Sequence, residues 1–196
     1  MDSRAWDDRY AAQALVWSAG PNRFLVDEVA DIAPGRALDL ACGEGRNAIW
    51  LAGRGWEVVA ADFSRVGIDK GRQRAEHAGV SVDWVVADVT AWDPPGLFDL
   101  VLVFYLQLPR HELAATFSQA TRALAPGGTL LVVAHDRRNL TEGVGGPQDP
   151  GLLTDPGDVA TMLTGLEVDR AVTVERAVEG ADRPALDTLV RAHRPA

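Results

Sequence analysis

The sequence predicts a doubly wound α/β fold, with a seven-stranded sheet whose last strand runs antiparallel to the rest. Short apolar runs alternate with amphipathic helical stretches along most of the chain, which is the pattern of parallel strands joined by helices. The first apolar run ends in Gly43-Glu44-Gly45, a turn whose backbone can approach a ligand closely. Near the C-terminus, two strand-like runs are too close in sequence for a crossover, so we expect an antiparallel hairpin.

Two helices are expected before the first strand. Pro21-Asn22 ends the first helix, and the second extends to the turn Ala33-Pro34-Gly35. The apolar side of the first helix recurs at three- and four-residue spacing, at Trp6, Tyr10, Ala14 and Trp17.

Five strands and three helices should follow, and together they predict the parallel part of the sheet. Ser64 can serve as the N-cap of one of these helices. The run 100–104 is almost wholly apolar, as expected for a central parallel strand. The expected strands are 37–41, 57–61, 82–86, 100–104 and 129–134, and the expected helices are 46–54, 64–78 and 110–124.

The last third of the chain has a different composition. Residues 137–157 are rich in Gly and Pro and have little periodicity, so we expect an irregular cap of functional importance. A short helix at 158–163 and the hairpin strands 167–177 and 185–192 complete the C-terminal part, 158–196.

Length and charge limit the possible functions. The 196 residues predict a single domain, 1–196, with its own core. A net charge of −9 with one lysine, Lys70, argues against a nucleic-acid partner, because phosphate binding needs clustered cations. No apolar run is long enough to span a membrane, and no signal peptide is recognisable. With a single cysteine, Cys42, these features predict a cytoplasmic monomer or homodimer acting on a small molecule.

Two acids beside the glycine turn favour one type of cofactor. Asp39 lies inside the first strand, and Asp62 follows the second strand at the distance of a ribose-binding acid. A carboxylate near Gly43 would repel a pyrophosphate but suits a cofactor with an ammonium and a sulfonium. Residues 39–45 resemble motif I of the class I S-adenosylmethionine-dependent methyltransferases, although Ala41 replaces the first glycine of that motif. The alternatives are an NAD-dependent oxidoreductase and a non-catalytic protein that binds S-adenosylmethionine.

The resemblance extends over almost the whole chain. The stretches 6–10, 21–25 and 39–52 are similar to small bacterial methyltransferases of the tellurite-resistance and thiopurine-methyltransferase type. This implies a Rossmann-like core, 36–136, and an N-terminal helical lid, 1–35, that closes over S-adenosylmethionine. The residues that the resemblance places around this cofactor are Trp6, Tyr10, Asp39, Gly43, Gly45, Asn47, Asp62, Phe63, Ser64, Asp88, Val89 and Phe104.

The sequence assigns no catalytic residue. His135 follows the fifth strand and Tyr105 the fourth, and both are candidates for contact with the acceptor. The Asn/Asp-Pro-Pro-Tyr/Phe motif of enzymes that methylate exocyclic amines is missing after strand four, so a thiol, chalcogen oxyanion or hydroxyl acceptor is expected. No set of residues has the spacing of metal ligands. We expect the lid and the cap, 137–157, to select the acceptor.

Overall fold

A computed structural model describes residues 3–196, so the first two residues of the predicted lid lie outside the described part. Seven strands form one sheet in the order β3-β2-β1-β4-β5-β7-β6. Strand β7 is antiparallel to both β5 and β6, and the other pairings are parallel, as the sequence predicts. The strands are β1 (Arg36–Leu40), β2 (Glu57–Asp62), β3 (Asp83–Val86), β4 (Phe98–Phe104), β5 (Leu124–His135), β6 (Glu167–Arg176) and β7 (Ala185–His193).

Six α-helices accompany the sheet in the described residues. They are α1 (Ser3–Ala11), α2 (Arg23–Glu28), α3 (Arg46–Ala52), α4 (Arg65–Ala78), α5 (Arg110–Ala123) and α6 (Pro156–Met162). None of them combines the length and apolar character needed to cross a bilayer.

The sheet lies between two hydrophobic layers. One buried cluster includes Phe117 of α5 and Leu38 of β1, and the other includes Leu51 of α3 and Leu102 of β4. Six of the seven residues of β4 are buried, which fits its central position. The strand order reverses between β1 and β4, and this reversal opens a crevice at the carboxyl ends of the strands.

Helix α1 is shorter than the sequence suggests. It ends at Ala11, so Trp17 lies in the following loop instead of on the helix. The carbonyl oxygens of Tyr10, Gln13 and Ala14 accept hydrogen bonds from Lys70 Nζ. Because helix α4 supplies this donor, the chain beyond Ala11 can leave helical geometry without losing its hydrogen bonds.

The cap, residues 137–157, is more structured than expected. It contains 3₁₀ turns at Arg137–Leu140 and Pro150–Leu152, and a bridge joins Asp136 to Thr154. Asn139 binds the backbone of Leu186 in both directions, donating from Nδ2 and accepting at Oδ1, each at 2.7 Å. The cap is therefore tied to strand β7.

Candidate functional site

A pocket opens at the carboxyl ends of β1, β2 and β4, below helix α1. About 950 Å³ of space lies between its lining atoms when the open mouth is included. The predicted cofactor residues that line it are Trp6, Tyr10, Asp39, Gly43, Asn47, Asp62, Phe63, Asp88, Val89 and Phe104.

The glycine turn is tight enough to require its glycines. Gly43 and Gly45 have φ of +56° and +72°, in the left-handed region that favours glycine. A Cβ at Gly43 would meet Tyr10 Oη at 2.5 Å, and one at Gly45 would collide with the ring of Trp84. Gly45 allows the turn to pack against the ring of Trp84.

Asp62 holds the turn in place. Its Oδ2 accepts from Gly43 N and its Oδ1 from Ser64 N, both at 2.8 Å. Burial raises the pKa of Asp62, and these two amide hydrogen bonds work against that rise. The carboxylate still lines the pocket, so its remaining lone pairs are available to a ligand hydroxyl.

Asp39 is a buried carboxylate with an unused oxygen. The residue is 1% exposed and lines the pocket. Within residues 3–196, its Oδ2 has no hydrogen-bond partner. Burial raises the pKa of Asp39 to about 7, Asp62 adds to the rise, and Arg46 opposes it. An unpaired acid in this position fits a ligand ammonium group and would repel a phosphate.

Asp88 and Val89 line the pocket just after strand β3. Asp88 Oδ1 accepts from both the backbone N and the Oγ1 of Thr90, at 2.9 and 2.7 Å. Val89 is buried against the hydrophobic core.

Ser64 does not line the pocket with the other predicted residues. Its Oγ accepts from Gly67 N at 3.0 Å and donates to Asp7 Oδ1 at 2.5 Å. The hydroxyl caps helix α4 and attaches α1 to it, because the N-cap geometry turns the side chain away from the pocket.

Three aromatic rings cover the pocket from the lid. The ring centroids of Trp6 and Tyr10 are 5.5 Å apart, and those of Trp6 and Trp17 are 6.3 Å apart. Trp17 Nε1 donates to Tyr10 Oη at 3.4 Å, and burial raises the pKa of Tyr10 above its usual value. The sequence predicted Trp6 and Tyr10 here but placed Trp17 only on a helix.

The loop after α1 is fastened by four side chains from the core, which we name the lid clasp: Glu44, Arg46, Lys70 and Arg74. The carboxylate of Glu44, 1% exposed, accepts from Val16 N and pairs with Lys70 Nζ at 3.3 Å. Arg74 donates to the carbonyl oxygens of Glu44 and Ala19, each at 2.8 Å.

A second polar group surrounds Asp187 in β7, and we name it the hairpin cluster: Asn22, Tyr105, His135, Arg176 and Asp187. Asp187 Oδ2 accepts from Tyr105 Oη at 2.8 Å and from Arg176 Nε at 2.6 Å, and Asp187 Oδ1 lies 3.5 Å from His135 Nδ1. Asn22 Nδ2 donates to Tyr105 Oη at 3.3 Å.

The two catalytic candidates lie at different depths in this cluster. Tyr105 lines the pocket. His135 does not line it, and its ring centroid lies 4.8 Å from that of Tyr105. Gly146 of the cap closes on His135, where a Cβ would approach the imidazole within 3.0 Å. No cap residue lines the pocket, because the cap is bound to β7. That the cap helps to select the acceptor stays a prediction, since the structure does not identify the acceptor site.

The sequence missed several pocket residues. Glu44 and Arg46 lie inside the glycine motif but were not proposed as pocket residues, and nothing in their spacing distinguishes them from solvated charges. Lys70 carried a usable signal, since it is the one lysine in an arginine-rich chain. The further pocket residues are Trp17, Ala41, Cys42, Thr90, Leu106, Gln107 and Leu108.

Comparison with known proteins agrees with this fold. Residues 37–128 match the family model described as a methyltransferase domain. The demethylmenaquinone methyltransferase of Thermus thermophilus is 38% identical over 114 residues, which are 57% of this chain and 52% of that protein. The chain spans about half the length of the curated relatives it matches.

Two solved structures share nearly the whole fold. The N-methyltransferase NodS from Bradyrhizobium japonicum, in complex with S-adenosylhomocysteine, has a TM-score of 0.78 at 19% identity, covering 100% of both chains. TehB from Haemophilus influenzae has a TM-score of 0.75 at 18% identity, covering 96% of this chain and 67% of its own. Residues 37–128 therefore match a methyltransferase domain, and the whole chain shares the fold of TehB and NodS. The predicted fold is confirmed, and the matching methyltransferase domain agrees with the predicted class of enzyme.

Proposed function

We propose that this protein transfers the methyl group of S-adenosylmethionine to a small-molecule acceptor. The observation that carries the proposal is the unpaired, buried oxygen of Asp39 beside Asp62 in one pocket. Such an arrangement suits a ligand with both an ammonium group and ribose hydroxyls, and it disfavours the pyrophosphate of a dinucleotide.

The proposed cofactor site has one residue for each polar group of the ligand. Asp39 would hold the ammonium, Asp62 the ribose hydroxyls, and Asp88 the adenine amine, with Phe63 beside the adenosine. When bound, the cofactor supplies a methyl group already activated on a sulfonium. The chain's own task is then to align the acceptor and exclude water.

The acceptor side is built mainly from apolar and aromatic residues. Leu106, Gln107 and Leu108 follow β4 and line the same pocket as Trp6 and Trp17 of the lid. This enclosed surface supports a small molecule as the acceptor more than a macromolecule. The relatives do not identify it, since a demethylmenaquinone methyltransferase and an N-methyltransferase are both among them.

Apart from the acids proposed to hold the cofactor, neither Tyr105 nor Cys42 of the described pocket is suited to act as a general base. Tyr105 Oη already donates to Asp187 and accepts from Asn22, and burial raises its pKa. Burial also raises the pKa of Cys42, so that thiol stays protonated. These features support an acceptor that loses its proton easily, such as a thiol, a chalcogen oxyanion or an acidic hydroxyl.

Calorimetry tests the cofactor. S-adenosylhomocysteine should bind the full chain with micromolar affinity, and NADH should not bind. Asp62→Ala should weaken S-adenosylhomocysteine binding by about 30-fold or more, since charge-assisted hydrogen bonds are lost. Binding of NADH alone would overturn the proposal.

A panel of acceptors tests the reaction. Thiophenol, tellurite and phenol, each incubated with methyl-labelled S-adenosylmethionine, represent the proposed classes, and aniline is the matched amine. Labelled product from one of the first three but not from aniline is the expected result. Binding of S-adenosylhomocysteine with no product from any of them would favour a non-catalytic protein.

A further inference from the structure

Tyr105 lines the pocket in an unusual backbone conformation. It follows β4 and has a φ of +54°, a left-handed value that is uncommon for a bulky residue. Such conformations cost free energy, and they occur where the surrounding contacts require them. At Tyr105 these contacts are made by the ring, which packs against His135, and by the hydroxyl group.

The hydrogen bonds of Tyr105 fix the direction of its hydroxyl proton. Oη donates to Asp187 Oδ2 at 2.8 Å, and the same carboxylate oxygen accepts from Arg176 Nε at 2.6 Å. Although burial works against it, the pKa of Asp187 is lowered, so this carboxylate is ionised and can only accept. Burial raises the pKa of Tyr105, so the phenol keeps its proton and donates it to Asp187.

Towards any other group, the hydroxyl of Tyr105 can only accept a hydrogen bond. A phenol has a single proton to donate, and Asp187 already receives it. Among the described residues, Oη accepts one hydrogen bond, from Asn22 Nδ2 at a long 3.3 Å. The backbone N of Asn22 donates to Oδ1 of Asn47, which lines the same pocket. A molecule in the pocket therefore meets an oxygen that has acceptor capacity and no free proton.

The charge of the pocket favours a neutral molecule. Of the charged residues that line it within residues 3–196, four are acids and one, Arg46, is a base. A negatively charged acceptor is repelled by the carboxylates, whereas a neutral acceptor is not. The acids are Asp39, Glu44, Asp62 and Asp88.

We propose that Tyr105 recognises the methyl acceptor, and that it selects a neutral molecule with an S–H or O–H group to donate. The inference rests on the proposed function, because it names the substrate class of the same pocket. Of the three proposed acceptor classes, the thiol and the acidic hydroxyl fit this site. The chalcogen oxyanion does not, since it is negatively charged and needs donors.

The first experiment compares three probes by calorimetry on the full chain saturated with S-adenosylhomocysteine. Phenol can donate a hydrogen bond, anisole has the same ring without that proton, and benzoate is an anion that only accepts. Phenol should bind about tenfold more tightly than either of the others, which corresponds to one hydrogen bond. Equal affinities, or tighter binding of benzoate, would overturn the inference.

A variant assigns this preference to Tyr105. In Tyr105→Phe, phenol should bind no better than anisole, and the affinity for anisole should be unchanged. Thr188→Val is the matched control, because it removes a buried hydroxyl of β7 that donates to Asp136 at 3.2 Å and does not line the pocket. It should keep the tenfold preference. A preference that persists in Tyr105→Phe would show that another residue recognises the donor, against the inference.

Methyl transfer gives an independent measurement. With methyl-labelled S-adenosylmethionine, thiophenol or phenol should yield product and tellurite should not. Product from tellurite alone overturns the inference and leaves the proposed function standing. The same holds if the protein binds S-adenosylhomocysteine but none of the three probes. Wild-type protein that does not bind S-adenosylhomocysteine overturns the proposed function itself.

Discussion

The tripeptide Ala-Leu-Asp occurs twice in this chain, at 37–39 in β1 and at 185–187 in β7, and the two carboxylates differ in every respect but burial. Asp39 is 1% exposed and has an oxygen without a partner among the described residues. Asp187 is fully buried and accepts hydrogen bonds from Tyr105 and Arg176, while His135 Nδ1 lies 3.5 Å from it.

Opposite pKa directions follow from this difference. Burial raises the pKa of both acids, but at Asp187 the hydrogen bonds from Arg176 and Tyr105, together with the nearby His135, outweigh it, so its pKa is lowered. The carboxylate of Asp187 therefore stabilises the fold, and that of Asp39 costs stability until a cationic ligand pairs with it. The comparison separates a structural acid from a ligand-binding one.

The largest effect should come from removing the satisfied acid. Asp187→Ala leaves Arg176 and Tyr105 without their acceptor, and we expect the free energy of unfolding to fall by about 2–4 kcal/mol in urea titrations. Asp93→Ala is the control, because Asp93 is 86% exposed and pairs with Arg122 at 4.0 Å. It should change stability by less than about 0.5 kcal/mol. Equal losses in both variants would contradict the structural role of Asp187.

Removing the charge of Asp39 should raise the free energy of unfolding, and the gain should depend on pH. Its folded pKa of about 7 exceeds the usual 3.8, so the folded state binds more protons between these values and loses stability as the pH rises through them. Asp39→Asn removes this loss. The stability of the variant relative to wild type should increase by about 2–3 kcal/mol from pH 5 to pH 8 in the absence of ligand.

The control for this pH dependence is Asp83→Asn at the exposed start of β3, which should behave like wild type at both pH values. Asp39→Asn should also weaken S-adenosylhomocysteine binding. A variant that gains no relative stability at pH 8 would show that Asp39 already has a partner in solution.

Glu44 lies between Asp187 and Asp39 in this comparison, because it lines the pocket but its carboxylate is already bonded to the lid. We expect Lys70→Met to destabilise the protein by about 1–2 kcal/mol and to weaken S-adenosylhomocysteine binding about tenfold, since part of the population would have an open lid. Hydrogen exchange should accelerate in residues 10–19. Lys70→Arg keeps the charge and should lie closer to wild type. Unchanged exchange in Lys70→Met would mean that the clasp does not hold the lid.

The sequence predicted the sheet and the strand-tip residues because both depend on local patterns. The apolar run of β4 and the turn at Gly43 are visible without knowledge of distant contacts. The lid clasp is not, because Lys70 and Glu44 meet the loop after α1 across 27 to 57 residues of chain. For the same reason the sequence could not distinguish Asp39 from Asp187, because the residues around each carboxylate come from other elements.

The smallest effect concerns backbone strain, which the two regions share. Ala41, after β1, and Tyr105, after β4, both have positive φ, at +59° and +54°. Tyr105 uses its side chain in the hairpin cluster, which offsets the strain, whereas Ala41 stands where the resembling family has glycine. The left-handed conformation costs alanine about 1–2 kcal/mol, and glycine loses about half of that gain through its greater freedom when unfolded. Ala41→Gly should therefore stabilise the protein by about 0.5–1 kcal/mol in urea unfolding. Tyr105→Gly, at matched φ, should destabilise it. If Ala41→Gly also lost stability, packing of the Ala41 methyl group would offset the backbone strain there, as the side chain of Tyr105 does in the hairpin cluster.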